Sequence, residues 1–151
     1  MRDNVKGTGM IRSLLIFVVF FVSGISALTY QLAWQRKLFS IFGTNIESIT
    51  VVVTAFMMGL GLGSLAGGVL SQRTNFRVLP AFAVVELGIG LYGLISMPLM
   101  ESVSNASSMS VATTGVVSFG LVLVPTLLMG ATLPLLVTHL VRGNQNVGQS
   151  V

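Results

Sequence analysis

Apolar residues run almost unbroken through four stretches of the chain, and most charged positions fall between or beside them. The first stretch opens L-L-I-F-V-V-F-F-V at Leu14 and stays apolar to Leu32, with Tyr30 and Trp34 at its far end. At roughly 19 residues it is long enough to cross the hydrocarbon core of a bilayer as a helix. The positive charge before it and Ile25-Ser26-Ala27 within it also resemble a signal peptide, but the apolar character continues past Ala27 and favours a retained span. A second stretch covers about Ile49 to Leu70, with Glu47 just ahead, where a helix N-terminus favours negative charge. The third, about Val78 to Met97, carries Pro80 in its first turn and is predicted to stop near Pro98. The serine-rich run from Glu101 to Ser110 reads as an exposed loop. The fourth stretch, Val111 to Val141, would make a straight helix of roughly 46 Å at about 1.5 Å per residue. That exceeds a core of about 30 Å, so it is expected to tilt, to kink at Pro125 or Pro134, or to project. The pattern predicts an all-α polytopic membrane protein with spans near 14–34, 49–70, 78–97 and 111–141, an N-terminal segment 1–13 and a tail 142–151.

Within the second stretch, A-F-M-M-G-L-G-L-G-S-L-A-G-G places Ala55, Gly59, Gly63 and Gly67 four residues apart. On a helix they form one smooth stripe along which another backbone can lie closely. So many glycines would weaken a helix in water by roughly 1 kcal/mol each relative to alanine. In a bilayer the helix is enforced by the need to satisfy the backbone, and the glycines become packing surface. The second helix is expected to be central to packing, with the third as its neighbour and part of the stripe left to face another subunit.

Composition agrees with this class: 53% of residues are hydrophobic and only 8% charged. There is no cysteine, so neither a disulfide framework nor a thiolate metal site is available. The formal net charge of +4 does not indicate nucleic-acid binding, because the basic residues sit in short connections and form no basic face. They report orientation instead. With the N-terminus cytoplasmic, Arg2, Lys6, Arg12, Arg73, Arg77 and Arg142 lie inside and Arg36 and Lys37 outside, which predicts both termini in the cytoplasm. Asn105-Ala106-Ser107 matches a glycosylation sequon and is assigned no role.

Glu86 is the acidic residue set well inside a predicted span. A carboxyl at that depth must be protonated, paired or beside water. Ala83, Glu86, Gly90 and Gly93 share a helical face, which aims the carboxyl at a close neighbour. Two roles follow: a proton- or cation-coupling site, or a hydrogen-bonded group that fixes packing and reaches Arg73 or Arg77. On the first stretch Ser23, Ala27, Tyr30 and Trp34 also share a face, and Tyr30, Trp34 and Arg36 read as an outer-interface cluster of the kind that anchors spans at headgroup level. His139 is the only histidine and a metal site needs further ligands that the sequence does not offer, and no Ser/His/Asp set, carboxylate pair or phosphate loop is present. No catalytic, cofactor-binding or metal residue is assigned.

Four phrases together resemble a known family: Ser23 to Arg36 (S-G-I-S-A-L-T-Y-Q-L-A-W-Q-R), Ala55 to Gly68, Glu86 to Gly93 (E-L-G-I-G-L-Y-G) and Pro125 to Leu136 (P-T-L-L-M-G-A-T-L-P-L-L). They are similar, in order, to the N-terminal membrane region of the fused major-facilitator/spermidine-synthase-like proteins, which are related to polyamine aminopropyltransferases. Gly67 to Arg77 also resembles the major-facilitator loop between its second and third helices, except that Gln72 stands where an acidic residue is usual. The resemblance implies a major-facilitator-like N-terminal fragment joined to a cytoplasmic aminopropyltransferase-like domain of Rossmann-type fold, which uses decarboxylated S-adenosylmethionine and a polyamine. None of that domain lies in these residues, so the remaining parts are expected on a separate polypeptide or lost by truncation. Two functions are carried forward. One is a non-catalytic inner-membrane module that anchors or partners a spermidine-synthase-like subunit or other membrane helices. The other is a small dimeric transporter for cations or polyamine-like substrates coupled through Glu86.

Overall fold

The computed structural model describes residues 2–43, 45–73, 77–105 and 110–148, with side chains for 14–43, 45–73, 77–103, 105 and 110–142. The described residues form four α-helices and no strand: α1 Arg2–Phe42, α2 Asn45–Ser71, α3 Val78–Asn105 and α4 Val111–Gly148. Each contains a segment long and apolar enough to cross a membrane: Leu14–Phe42, Asn45–Ser71, Val78–Val103 and Val111–Arg142. The side chains of Arg2, Lys6 and Arg12, the sequon positions Ala106 and Ser107, and the last residues of the tail lie outside the described set.

The helices outrun the predicted spans, and the reasons are local. α1 ends where Gly43 takes φ 73°, a left-handed conformation that glycine adopts without steric cost, and its N–H caps the Phe39 carbonyl at 2.9 Å. α3 does not stop at Pro98 but runs through it to Asn105, so the first part of the expected serine-rich loop is helical. A proline deletes one backbone hydrogen bond, but leaving the helix in an apolar medium would orphan several more. α4 starts on Ser110, whose Oγ accepts the Thr113 N–H at 3.2 Å in an N-cap, and continues past Val141 to Gly148.

Both internal prolines of α4 are accommodated within the helix. Pro125 lacks the N–H that would bond the Leu121 carbonyl, and the Tyr92 hydroxyl of α3 donates to that carbonyl instead at 2.5 Å. Thr126 and Thr132 bond back within α4, to Leu123 O at 2.8 Å and Met129 O at 2.7 Å, as expected of hydroxyls beside proline bends.

Side-chain pairings set the directions. Trp34 meets Ser96 and Tyr30 meets Gly93, so α1 and α3 run parallel. Gly59 meets Thr126, Gly67 meets Ala131 and Ser71 meets Thr138, so α2 and α4 run parallel. Tyr92 meets Leu121 while Gly88 meets Leu128, so α3 and α4 are antiparallel. α4 packs on all three other helices, and 39% of its apolar window is buried against 6% for α1. The packing centre is therefore α4, not the glycine-striped α2.

The stripe itself meets a different partner from the one expected. Ala55, Gly59, Gly63 and Gly67 are all buried within this chain, against α4 and not α3. A Cβ on Gly59 would collide with Thr126, one on Gly63 with the Leu127 carbonyl, and one on Gly67 would sit 2.9 Å from the Ala131 Cα. No part of the stripe is left for another subunit. α4 answers in kind, since a Cβ on Gly130 would come 2.5 Å from the Leu60 carbonyl oxygen. Without a hydrophobic drive between helices in lipid, such backbone approach supplies the association energy. Long apolar side chains cover the outside, among them Phe21, Leu28, Met57, Leu65, Leu87 and Leu94, as a lipid-facing bundle requires.

Candidate functional site

Ser23, Ser26, Tyr30, Glu86 and Ser96 bring polar groups to the α1–α3 contact. The α1 face that carries Ser23, Ala27, Tyr30 and Trp34 turns toward α3, and its members pair upward in register. Ser23 and Glu86 line the same groove, the hydroxyl end of the Tyr30 ring lies over Gly93, and Trp34 Nε1 donates to Ser96 Oγ at 3.1 Å. Ser96 Oγ in turn lies 2.9 Å from the Gly93 carbonyl. A Cβ at Gly93 would collide with the hydroxyl end of the Tyr30 ring, so glycine leaves the ring its place.

Trp34 corrects the reading of an aromatic belt. It is completely buried, stacked on Tyr30 at a ring separation of 5.6 Å and packed on Phe56 of α2 and Tyr92 of α3. An indole whose N–H finds a partner gains more from the core than from the headgroup region. Arg36, two residues on, is exposed, and Tyr30 is half-buried.

Glu86 is half-buried about 12 Å along α3 from Val78, by the rise of about 1.5 Å per residue. Its Oε1 is enclosed and has no hydrogen-bond partner. The expected pairing with Arg73 or Arg77 is absent among the described contacts. Both arginines are exposed, and Arg73 contributes its backbone carbonyl, which accepts from Arg142 at 3.2 Å. The shared face of Ala83, Glu86, Gly90 and Gly93 is split: Glu86 and Gly93 meet α1, whereas Ala83 and Gly90 are exposed. α1 is too lightly packed to cover the whole face.

A groove of about 300 Å³ lies between α1 and α3 at this point. Its polar lining is Glu86, Ser23, Ser26 and Tyr30, and its apolar walls include Val22 and Ile89. The Ser26 hydroxyl is already bonded to the Val22 carbonyl at 3.0 Å. A smaller concavity of about 260 Å³ lies at the other end of the bundle beside Glu47 and Phe42. Among the described residues no group of His, Cys, Asp or Glu is arranged to hold a metal ion.

Sequence reasoning missed the residues that complete the α2–α4 seam. Thr126, Gly130, Pro134, Thr138 and Arg142 recur every fourth residue along α4, the same spacing as the stripe they face. At the end of the seam Thr138 Oγ1 donates to Ser71 Oγ at 3.0 Å, and Arg142 donates to the Ser71 carbonyl at 2.7 Å. The shared four-residue period is the signal available in the chain, alongside the prolines that mark bending.

Fold and site together define a four-span, all-helical membrane protein with an open groove between α1 and α3 that carries Glu86. Over 131 residues the chain is 33% identical to Polyamine aminopropyltransferase 1 of Streptomyces coelicolor, a match covering 87% of this chain. The chain spans about a quarter of that relative's length, 23%. No family model matches the chain, and no solved structure matches it.

Proposed function

We propose that this chain is the membrane module of a polyamine aminopropyltransferase system, itself non-catalytic, seated in the cell inner membrane with both termini on the cytoplasmic side. The observation that carries the reading is the similarity, over 87% of the chain, to a part of a polyamine aminopropyltransferase. Four apolar helices fit an anchoring role, and the interior of the spans carries one carboxylate, Glu86, and no nucleophile–base constellation. The partner in this reading is an aminopropyltransferase-like polypeptide, fused or separate, on the side marked by Arg73, Arg77 and Arg142. Arg142 bonds to the Ser71 and Arg73 carbonyls, so the α2–α3 connection and the α4 end lie together, in keeping with a single basic side.

Co-expression with an aminopropyltransferase-like polypeptide encoded next to this chain tests the reading. The expected result is recovery of that polypeptide in the membrane fraction and its co-elution with this chain in mild detergent. Its recovery in the soluble fraction, whether or not this chain is present, would overturn the proposal. The second reading, cation or polyamine-like transport coupled through Glu86, is favoured by one observation, the carboxyl on the α1–α3 groove. The stripe offers no support for a dimer, since all of it is covered within the chain.

A further inference from the structure

The α1–α3 groove has three features that matter together. Its walls are apolar, with Val22 of α1 and Ile89 of α3 among them. Its polar residues, Ser23, Ser26 and Tyr30, gather with Glu86 and include no basic side chain. Glu86 is short of a donor: its Oε1 is enclosed with nothing to bond, and the nearest groove hydroxyl is on Ser23 of α1. An ionised carboxyl group accepts about four hydrogen bonds, and one left without donors in an apolar medium is costly. What the groove lacks is therefore a cationic donor attached to an apolar body. The last torsion of glutamate is broad and roughly two-fold, so turning about it exchanges the two carboxyl oxygens.

The geometry points to a binding site for a primary ammonium group carried on an apolar chain, with Glu86 as its counter-ion. The three N–H donors of the ammonium meet Glu86 and the hydroxyl oxygen of Ser23, and the chain lies along Val22 and Ile89. A volume of about 300 Å³ suits a chain of modest length. Gly90 leaves the way in open, since nothing lies within 4 Å of the Cβ it lacks. The inference names a ligand class for the carboxyl of the second reading, and it requires neither transport nor an aminopropyltransferase partner. Two sources present the primary ammonium on methylene carbons: a free alkylamine, with the whole apolar chain, or the ethanolamine headgroup of a membrane lipid, whose two carbons lead to a phosphate.

The test uses the full chain in phosphatidylcholine nanodiscs with radiolabelled n-hexylamine as probe. Saturable binding is expected, with n-hexanol failing to compete. Glu86→Gln is expected to weaken the affinity at least tenfold. Gly90→Leu fills the groove from its open side, leaves the carboxyl in place and is expected to abolish binding, with the melting temperature of each variant checking the fold. Phosphatidylethanolamine that displaces hexylamine would identify the headgroup as the source, and its failure to compete would identify the free amine. No saturable binding to the native chain, or binding that survives both substitutions, overturns the proposal.

Discussion

At the level of single residues, glycines on one helix have opposite duties. Gly63 lies against the Leu127 carbonyl, whereas nothing lies within 4 Å of the Cβ position of Gly61. Gly63→Ala is expected to destabilise the bundle by about 1–3 kcal/mol through overpacking. Gly61→Ala should instead leave stability unchanged or raise it by about 0.5–1 kcal/mol, because it removes only backbone freedom. Reversible unfolding in mixed micelles measures both. Tyr92 gives a second test. Its hydroxyl serves the Leu121 carbonyl that Pro125 frees, so Tyr92→Phe should cost about 0.5–1.5 kcal/mol. In a Pro125→Ala background that cost should shrink, since the alanine would supply the missing N–H. A double-mutant cycle showing additive effects would disprove the link.

Among whole helices, the α2–α4 seam is built twice over, by backbone approach along its length and by hydrogen bonds at its end. Arg142 reaches the Ser71 carbonyl where α2 runs out of intrahelical donors. Arg142→Gln should therefore loosen that end by about 1 kcal/mol and speed amide exchange in the last turn of α2. α1 is the contrasting element, held by the cluster of Trp34 and Leu38 and by the Trp34–Ser96 hydrogen bond. The helical spacing of Ser23, Ala27, Tyr30 and Trp34 was visible in the chain, but whether that face met lipid or protein was not. An aromatic residue near the end of an apolar run suits a headgroup layer and a bundle core equally well.

For the molecule as a whole, the arrangement of charges makes a topological prediction. The chain has no cysteine, so single introduced cysteines report without background. Arg73→Cys is expected to react with a membrane-impermeant maleimide from the cytoplasmic side only, and Arg36→Cys from the opposite side only. Labelling of both from one side would refute the four-span topology. The groove and the seam also lie on different sides of this architecture: α4 joins α2 by a close backbone fit, while α1 and α3 leave a gap that holds the half-buried carboxyl of Glu86.

Four apolar runs, the glycine stripe and the isolated glutamate were all determined by the chain itself. In a bilayer, length and hydropathy decide what spans, and helical spacing decides which residues share a face. Which faces meet was decided only in three dimensions. Lipid rewards no particular pairing of apolar surfaces, so partner choice rests on the match of backbone contours, such as Gly63 against Leu127 and Gly130 against Leu60. The same reason explains Pro98. A proline ends helices in water, where released backbone groups are solvated, but the surrounding helix holds where they would not be. It also explains Glu86, whose charge pattern suggested an arginine while the fold set it beside Ser23 and an open groove.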